Sequence, residues 1–453
     1  MSTDRALDTR ISLWRTFISR RDAGPADAGA RETELRGHAA TLGRAGLTAD
    51  EAFLIAAARV AADDALSREF VRTYADRLWK GPAASPAPPS GAHTRQDAFV
   101  AFALAIVAAL TIKAPELFGR SIEGPDGLSM FYARNLSLFV FPLLAIYFAW
   151  KRGIGAAGFR WLALPFAAAA LAANIFPFAA NSDTQALAAL HLPIALWLAV
   201  GVAHARNRWF AGSARMDFVR FSGDLAIYYV LIALGGGVFI GFTVMMFTAI
   251  GIKADTLVGH WILPCGATGA VIIASWLVET KQAVLESMAP VLTRIFTPLF
   301  TLLLLGFLGT MAWTGHPIDV KREILISFDL LLALVVGLVL YAATSRAPDA
   351  PPAFFDRLQL LLVMSALAVD AVALAAIGAR ISEFGVSANR VAALGENLIL
   401  LLNLTWTAWL SVRFVLRRGH FAAVERWQMA YLPVYSLWAA IVVIVFPPLF
   451  GYR

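Results

Sequence analysis

The stretch DLAIYYVLIALGGGVFIGFTVMMFTAIGI, from Asp224 to Ile252, carries one charge, at its first residue, and is otherwise uncharged. A membrane helix needs about 20 mostly apolar residues, so this stretch predicts a transmembrane span. Ten further apolar stretches follow the same pattern. The eleven predicted spans lie near 98–113, 134–150, 159–180, 185–205, 222–251, 257–279, 291–313, 324–345, 355–378, 391–413 and 429–450. The predicted fold is an all-α polytopic membrane protein with about eleven helices, within a range of about ten to twelve.

Composition supports lipid as the main solvent of this chain. Of its 453 residues, 59% are hydrophobic and only 15% are charged, which is too apolar for an ordinary soluble protein. The net charge of +7 does not predict nucleic-acid binding, because most cations lie at the ends of apolar stretches, where they meet lipid headgroups. The predominance of Arg over Lys and the many Ala residues suggest a GC-rich bacterial genome. The single Cys265 excludes an internal disulfide and any Cys-pair metal motif.

The chain is expected to have three parts. Residues 1–80 contain no apolar stretch long enough to span and no signal peptide, so they predict a small helical cytoplasmic head. Within it, 47–80 predicts a helix with an apolar stripe, which earlier helical segments near 7–20 and 30–42 would cover. Residues 81–96 include GPAASPAPPSGAHT, whose four prolines predict an extended linker. Residues 97–453 form the multi-pass membrane domain.

Part of the head resembles a known domain. The matching pattern contains Glu34-Leu35, Gly46-Leu47, Glu51-Ala52, Arg59 and Glu69-Phe70, together with His38, Leu42 and Leu66. It is similar to the small permease prefix domain that precedes bacterial membrane proteins, including permease subunits of export systems. Ala61 stands where that domain usually has Gly. The resemblance implies a head that recruits a protein partner. Any ATP-driven role would need a separate ATPase, because the chain has no nucleotide-binding motif.

The membrane part, above all the segment from Asp224 to Ile252, is similar to an uncharacterised family of bacterial multi-pass inner-membrane proteins. That family has no assigned activity. The resemblance therefore implies a topology but no catalytic residue.

The distribution of Lys and Arg predicts the orientation. Fifteen of these residues lie in or beside the connections on the head side and nine on the opposite side. Since cytoplasmic loops carry the excess of positive charge, the head side is expected to be cytoplasmic. Eleven spans then place the C-terminus in the periplasm, with the protein in the bacterial inner membrane.

Polar groups inside predicted spans are the candidate functional residues, because an intramembrane charge costs roughly 2.5–3.5 kcal/mol on insertion scales. Asp370 lies in a stretch with no other charged residue between Arg357 and Arg380. The other candidates for an intramembrane polar path are Asp224, Asp329, Glu396, Asn403 and His191. Glu396 and Asn403 are seven residues apart, which places them on one helical face. Such groups would relay protons or bind a cation; alternatively, Asp224, Asp329 and Glu396 pair with Arg220, Arg322 and Arg390 near span ends.

His191 has two possible roles. As part of the polar path it would titrate near neutral pH, whereas the simpler reading is a hydrogen bond to a neighbouring helix. The remaining histidines show no metal-ligand spacing, so neither a metal site nor another cofactor is predicted.

Glycine and proline weaken two predicted spans. The fifth carries Gly235, Gly236, Gly237 and Gly241, and the sixth carries Pro264, Gly266 and Gly269. Interrupted helices expose backbone groups to substrates in transporters, whereas small residues also permit close helix packing. Both readings predict that the fifth and sixth spans lie in the protein interior.

Three functional classes remain open. No catalytic residue or enzyme motif is found, so an enzyme is the weakest of the three. The main hypothesis is a permease or transporter for a small solute or ion, based on the spans, the buried acids and the weak helices. The alternative is a membrane scaffold, sensory or assembly protein whose residues 1–80 recruit a cytoplasmic partner. The sequence gives no oligomeric state.

Overall fold

The computed structural model describes residues 11, 14, 25–44, 47, 49–60, 91–124, 127–180, 182–250, 257–280, 288–314, 322–346 and 350–453. The chain divides into two compact units, Met1–Gln96 and Asp97–Arg453.

The first unit contains two described helices, α1 (Pro25–Arg44) and α2 (Ala49–Val60). They pack on one another and bury Leu35 and Phe53 together with Ile11 and Trp14. The predicted helix over 47–80 is described as far as Val60, and its remainder, like most of the predicted segment 7–20, lies outside the described residues.

The second unit is almost wholly helical. Its α-helices are α3 (Gly91–Lys113), α4 (Met130–Lys151), α5 (Ala156–Ile175), α6 (Asp183–Ala205), α7 (Gly212–Ala249), α8 (Leu263–Thr280), α9 (Met288–Thr314), α10 (Arg322–Ser345), α11 (Phe354–Phe384), α12 (Ala388–Val415), α13 (Phe421–Ile444) and α14 (Phe446–Leu449). Two short strands, β1 (Glu123–Gly124) and β2 (Gly127–Leu128), pair antiparallel between α3 and α4. A π-helical turn, Val258–Ile262, leads directly into α8.

The expectation of an all-α polytopic protein is confirmed. Among the described residues, eleven helices are long and apolar enough to cross a membrane, and they correspond one for one to the predicted spans. Some bounds differ. Helix α3 begins at Gly91, inside the predicted linker, because the prolines of that linker end at Pro89. The last span ends at Ile444 rather than near 450, since Pro447 and Pro448 have no N–H to continue the helical hydrogen bonds.

The two largest apolar cores among the described residues of the membrane unit contain different helices. The first is formed by α3, α4, α5, α6 and α8 with the first part of α7. The second is formed by α9, α10, α11 and α12. Helix α13 packs on both α6 and α12, and α7 contacts both α8 and α10, so these two helices join the cores.

Ion pairs and hydrogen bonds show that α3 runs in the opposite direction to α4 and to α8. Asp97, near the start of α3, lies 3.6 Å from Lys151 at the end of α4. At the other end of α3, Lys113 donates a 2.7 Å hydrogen bond to the carbonyl of His260, which precedes α8. We call the side with Asp97 and Lys151 the N side and the side with Lys113 and His260 the far side.

Candidate functional site

Three of the predicted acids converge on neighbouring helices. Asp329 lies in α10, Asp370 in α11 and Glu396 in α12, and these three helices pack on one another. The carboxyl groups of Asp370 and Glu396 both lie close enough to Asp329 for their charges to interact. Asp329 and Glu396 each lie about two turns from the far-side start of their helix, whereas Asp370 is near the middle of α11. We call Asp329, Asp370 and Glu396, with Asn397, the acid cluster.

Asn397 is a member of this cluster that the sequence did not single out. Its side-chain amide donates to Asp329 Oδ1 at 2.7 Å and to the carbonyl of Ala393 at 2.9 Å, which uses both amide hydrogens. Its own Oδ1 is buried and accepts no hydrogen bond from any described residue. Asn397 therefore fixes Asp329 and leaves a free acceptor in the same place.

Asp370 is the most isolated group of the cluster. Its solvent-exposed fraction is 0%, and neither carboxylate oxygen has a hydrogen-bond partner within the described parts of the chain. A buried carboxylate in apolar surroundings is costly unless it is paired, hydrogen-bonded or neutralised. The protein around Asp370 supplies neither of the first two, so the charge has to be removed by a proton or balanced by a bound cation.

The arginine partners expected for these acids do not take that role where they are described. Arg390 donates from Nη1 to the carbonyls of Phe384 and Gly385 at 2.9 and 2.7 Å, so it caps the end of α11 and not Glu396. The side chain of Arg322 lies outside the described residues. Over the described chain, no Lys or Arg forms an ion pair with Asp329, Asp370 or Glu396. The cluster thus carries an excess of hydrogen-bond acceptors.

Asn403 belongs to a different network. Its amide donates to Tyr435 Oη at 2.7 Å and to Gln428 Oε1 at 3.3 Å, and its Oδ1 accepts from Trp427 Nε1 at 2.8 Å. All three partners are in α13. Although Asn403 is two helical turns from Glu396, its hydrogen bonds are satisfied and connect α12 to α13. The structure therefore does not bring it into the acid cluster.

Asp224 and His191 also lie away from the cluster. Asp224 accepts a 2.6 Å hydrogen bond from Tyr341 Oη, while Arg220 donates to the carbonyl of Thr344 at 2.5 Å. The Tyr341 ring packs directly over Gly223, where any Cβ would collide with it. His191 is buried, and its Nδ1 lies 2.9 Å from the carbonyl of Leu187, one turn earlier in its own helix. Asp224 therefore joins α7 to α10, whereas the hydrogen bond of His191 stays within α6.

The glycines of the fifth span neither break the helix nor pack against this chain. Helix α7 is continuous through Gly235, Gly236, Gly237 and Gly241, and no described atom outside the helix lies within 4 Å of where their Cβ atoms would stand. The most apolar part of α7 is entirely unburied. The expectation that this span is interior was therefore wrong: glycine permits close packing but does not require a partner in the same chain.

The sixth span is irregular where proline predicted it. Pro264 has no N–H, so the carbonyl of His260, four residues earlier, loses its helical donor. The turn widens into a π-turn in which Leu263 N–H donates to Val258 O, and buried Lys113 supplies the missing donor to His260. The two glycines of the sixth span differ in their surroundings. A Cβ at Gly269 would stand 3.4 Å from the Ala105 carbonyl oxygen, so α8 packs closely on α3 there. Gly266 has open space around it.

Another buried acid, Glu279, was missed by sequence reasoning. Its side chain is 4% exposed and lies at the N-side end of α8. It accepts from Arg152 at 2.9 and 3.1 Å, and it lies 3.2 Å from Lys151 Nζ and 3.3 Å from His204 Nε2. We call Glu279, Lys151, Arg152 and His204 the N-side cluster. The signal was present in sequence: all four residues fall at the ends of even-numbered spans, which share one side of the membrane.

No three His, Cys, Asp or Glu side chains of the described residues are placed to hold a metal ion together.

Comparison with known proteins adds no identity. No protein-family model, no curated protein and no solved structure matches the chain. The resemblances of residues 34–70 and of the membrane part, and the partner-binding role of residues 1–80, stay predictions.

Proposed function

We propose that this integral membrane protein is an ion-coupled permease for a small solute, and that the acid cluster is its proton or monovalent-cation site. The observation that carries the proposal is Asp370, fully buried among apolar helices with two partnerless carboxylate oxygens. Intramembrane acids are rare and costly, and proteins retain them for proton relays and ion pathways.

The neighbouring groups favour reversible loading. When Asp329 and Asp370 are both ionised, like charges repel in a medium of low dielectric constant, so a proton or cation on one relieves the other. The free Oδ1 of Asn397 adds a neutral acceptor to the cluster. Asp329 and Glu396 lie closer to the far side than Asp370 does. We infer that the ion enters from the far side and reaches Asp370 last.

The orientation belongs to the same proposal. The excess of Lys and Arg at the N side supports a cytoplasmic N side, and the far side is then periplasmic in a bacterial inner membrane. An ion gradient directed into the cell would load the acid cluster from the outside.

The test is electrical and needs no knowledge of the solute. The full chain is reconstituted in liposomes on a solid-supported membrane, and jumps of pH, sodium or potassium are applied. We expect one of these ions to produce a transient charge displacement that Asp370→Asn abolishes. Glu383→Gln is the matched control, because it neutralises an exposed acid on the same helix, and it should behave like the wild type.

Two results would overturn the proposal. One is a displacement of equal size in Asp370→Asn and wild type. The other is no displacement in the wild type with any of the three ions, while size-exclusion chromatography shows a folded protein.

A further inference from the structure

The N-side cluster forms part of the wall of a cavity. The cavity has a volume of about 470 Å³ and lies where the ends of α4, α6 and α8 meet the first turns of α7. Arg152, Arg206, Arg208 and Arg220 line it, together with His204. It belongs to the first apolar core, whereas the acid cluster lies among α10, α11 and α12, so the two sites are separate.

Two of the three acids in the wall already have partners within the protein. Glu279 is surrounded by Lys151, Arg152 and His204, and Asp224 is held by the hydroxyl of Tyr341. The third acid of the wall, Asp217, is exposed. The wall therefore contains more arginines than acids that are free to pair with them.

Several donors in this wall have no acceptor. The side chains of Arg206 and Arg208 are exposed and form no hydrogen bond or ion pair with any described residue. Arg220 donates only to a neutral carbonyl, that of Thr344. Arg152 Nε and His204 Nδ1 are buried and likewise unpartnered over the described chain.

His204 gives the cavity a fixed polar wall. The residue is 9% exposed, and its ring stacks on Phe221 at 4.9 Å and meets Phe148 edge-on at 5.0 Å. Its Nε2 faces Glu279. With Nε2 facing Glu279 and the ring packed against Phe221 and Phe148, Nδ1 is held in one orientation in the wall of the cavity.

We propose that this cavity binds an oxyanion, a phosphate or carboxylate group, from the N side of the membrane. Planar guanidinium groups hold such oxygens in pairs of charge-assisted hydrogen bonds, and an anion would satisfy the donors that the protein leaves free. The group belongs either to a soluble anion or to the headgroup of an anionic lipid, whose chemistry is the same here. The proposal does not depend on ion-coupled transport.

The test measures binding to the purified full chain in an uncharged detergent. Thermal unfolding is followed against increasing inorganic phosphate or citrate, with chloride solutions of equal ionic strength as reference. A parallel titration uses short-chain phosphatidylglycerol against short-chain phosphatidylcholine. The variant is Arg206→Gln with Arg208→Gln, since both side chains are exposed and their loss should leave the fold intact. Arg418→Gln removes an exposed arginine outside the cavity and serves as the control.

We expect stabilisation of the wild type by at least one oxyanion and an affinity roughly tenfold or more lower in the double variant, the loss expected for charge-assisted hydrogen bonds. The control should bind like the wild type. A response to phosphatidylglycerol alone assigns the site to a lipid headgroup, and a response to phosphate or citrate assigns it to a soluble anion. Equal affinity in the double variant and wild type, or no response beyond that of chloride and phosphatidylcholine, would overturn the proposal.

Discussion

Glu279 and Asp370 are both buried acids in the membrane unit, and they differ in what surrounds them. Glu279 lies within 3.3 Å of Lys151, Arg152 and His204, which come from two other helices, whereas Asp370 has no partner for either oxygen in the described chain. Helices α4, α6 and α8 use Glu279 to hold their ends together. Burial alone therefore does not identify a functional acid; the balance of donors and acceptors around it does.

The largest expected effect follows from removing the charge at Glu279. Glu279→Gln leaves Arg152 without a counter-charge and Lys151 with Asp97 alone. Because both cations are partly exposed, we expect a cost near the lower end of the range for breaking a buried ion pair, about 3 kcal/mol. We expect a clear fall in the unfolding temperature measured in detergent. Glu383→Gln, which changes an exposed acid, should leave that temperature unchanged. An unaltered unfolding temperature in Glu279→Gln would contradict the structural role given to Glu279.

A smaller effect is expected inside the acid cluster. Asn397→Leu removes the only described donor to Asp329, and an unsatisfied buried acceptor costs about 1–3 kcal/mol. Replacing both partners, Asn397→Leu with Asp329→Leu, should recover most of that loss, because no orphaned group remains. Unfolding temperatures of the two single variants and the double variant complete the cycle. Additive losses would show that the 2.7 Å hydrogen bond does not couple the two residues.

A third variant pair tests the same principle on the far side. Lys113→Met leaves the His260 carbonyl without a donor, at an expected cost of about 1–2 kcal/mol. Adding Pro264→Ala restores a backbone N–H at the position from which a helix would normally bond His260. We expect the double variant to unfold at a higher temperature than Lys113→Met. If Pro264→Ala brings no recovery, Lys113 acts through Glu116 or Trp261 instead.

The smallest effect on stability is expected at Asp370 itself. Asp370 accepts no hydrogen bond from any described residue, and a protonated carboxyl and an amide are neutral groups of similar size, so Asp370→Asn should change the free energy of unfolding by less than about 1 kcal/mol. The same variant is expected to lose its electrical response to the coupling ion. Asp370→Asn would then lose activity while keeping its stability, whereas Glu279→Gln would lose stability. A large loss of stability in Asp370→Asn would make Asp370 a structural group like Glu279.

The fold was predictable from sequence to a greater extent than the site. Hydropathy alone located all eleven spans, because length and apolarity are local properties. Asp370 was likewise found from its own neighbourhood in the chain. The grouping of Asp329, Asp370 and Glu396 was not derivable, since it depends on how α10, α11 and α12 pack.

Two failures show where helical spacing stops being informative. Asn403 shares a face with Glu396 by spacing, yet it is bound to Trp427 and Tyr435, while Asn397, next to Glu396, binds Asp329. Which polar residues of a helix contact one another depends on the helices packed around it. Spacing within one helix carries no information about those neighbouring helices. Glu279 was overlooked because Arg152 is 127 residues away in sequence. The alternating direction of the spans would have placed Glu279 and Arg152 on the same side of the membrane.

The length of α7 has a consequence for the membrane around it. Its 38 residues extend about 57 Å, against about 30 Å for the hydrocarbon core of a typical bilayer. The exposed apolar side chains run from Val230 to Ile250, and only the first part of the helix packs in the apolar core. The uncharged run from Leu225 to Ile250 is about 39 Å long, so α7 must tilt or draw lipid around it to keep those side chains out of water. Bilayer thickness therefore acts directly on the angle at which α7 leaves the two cores that it joins.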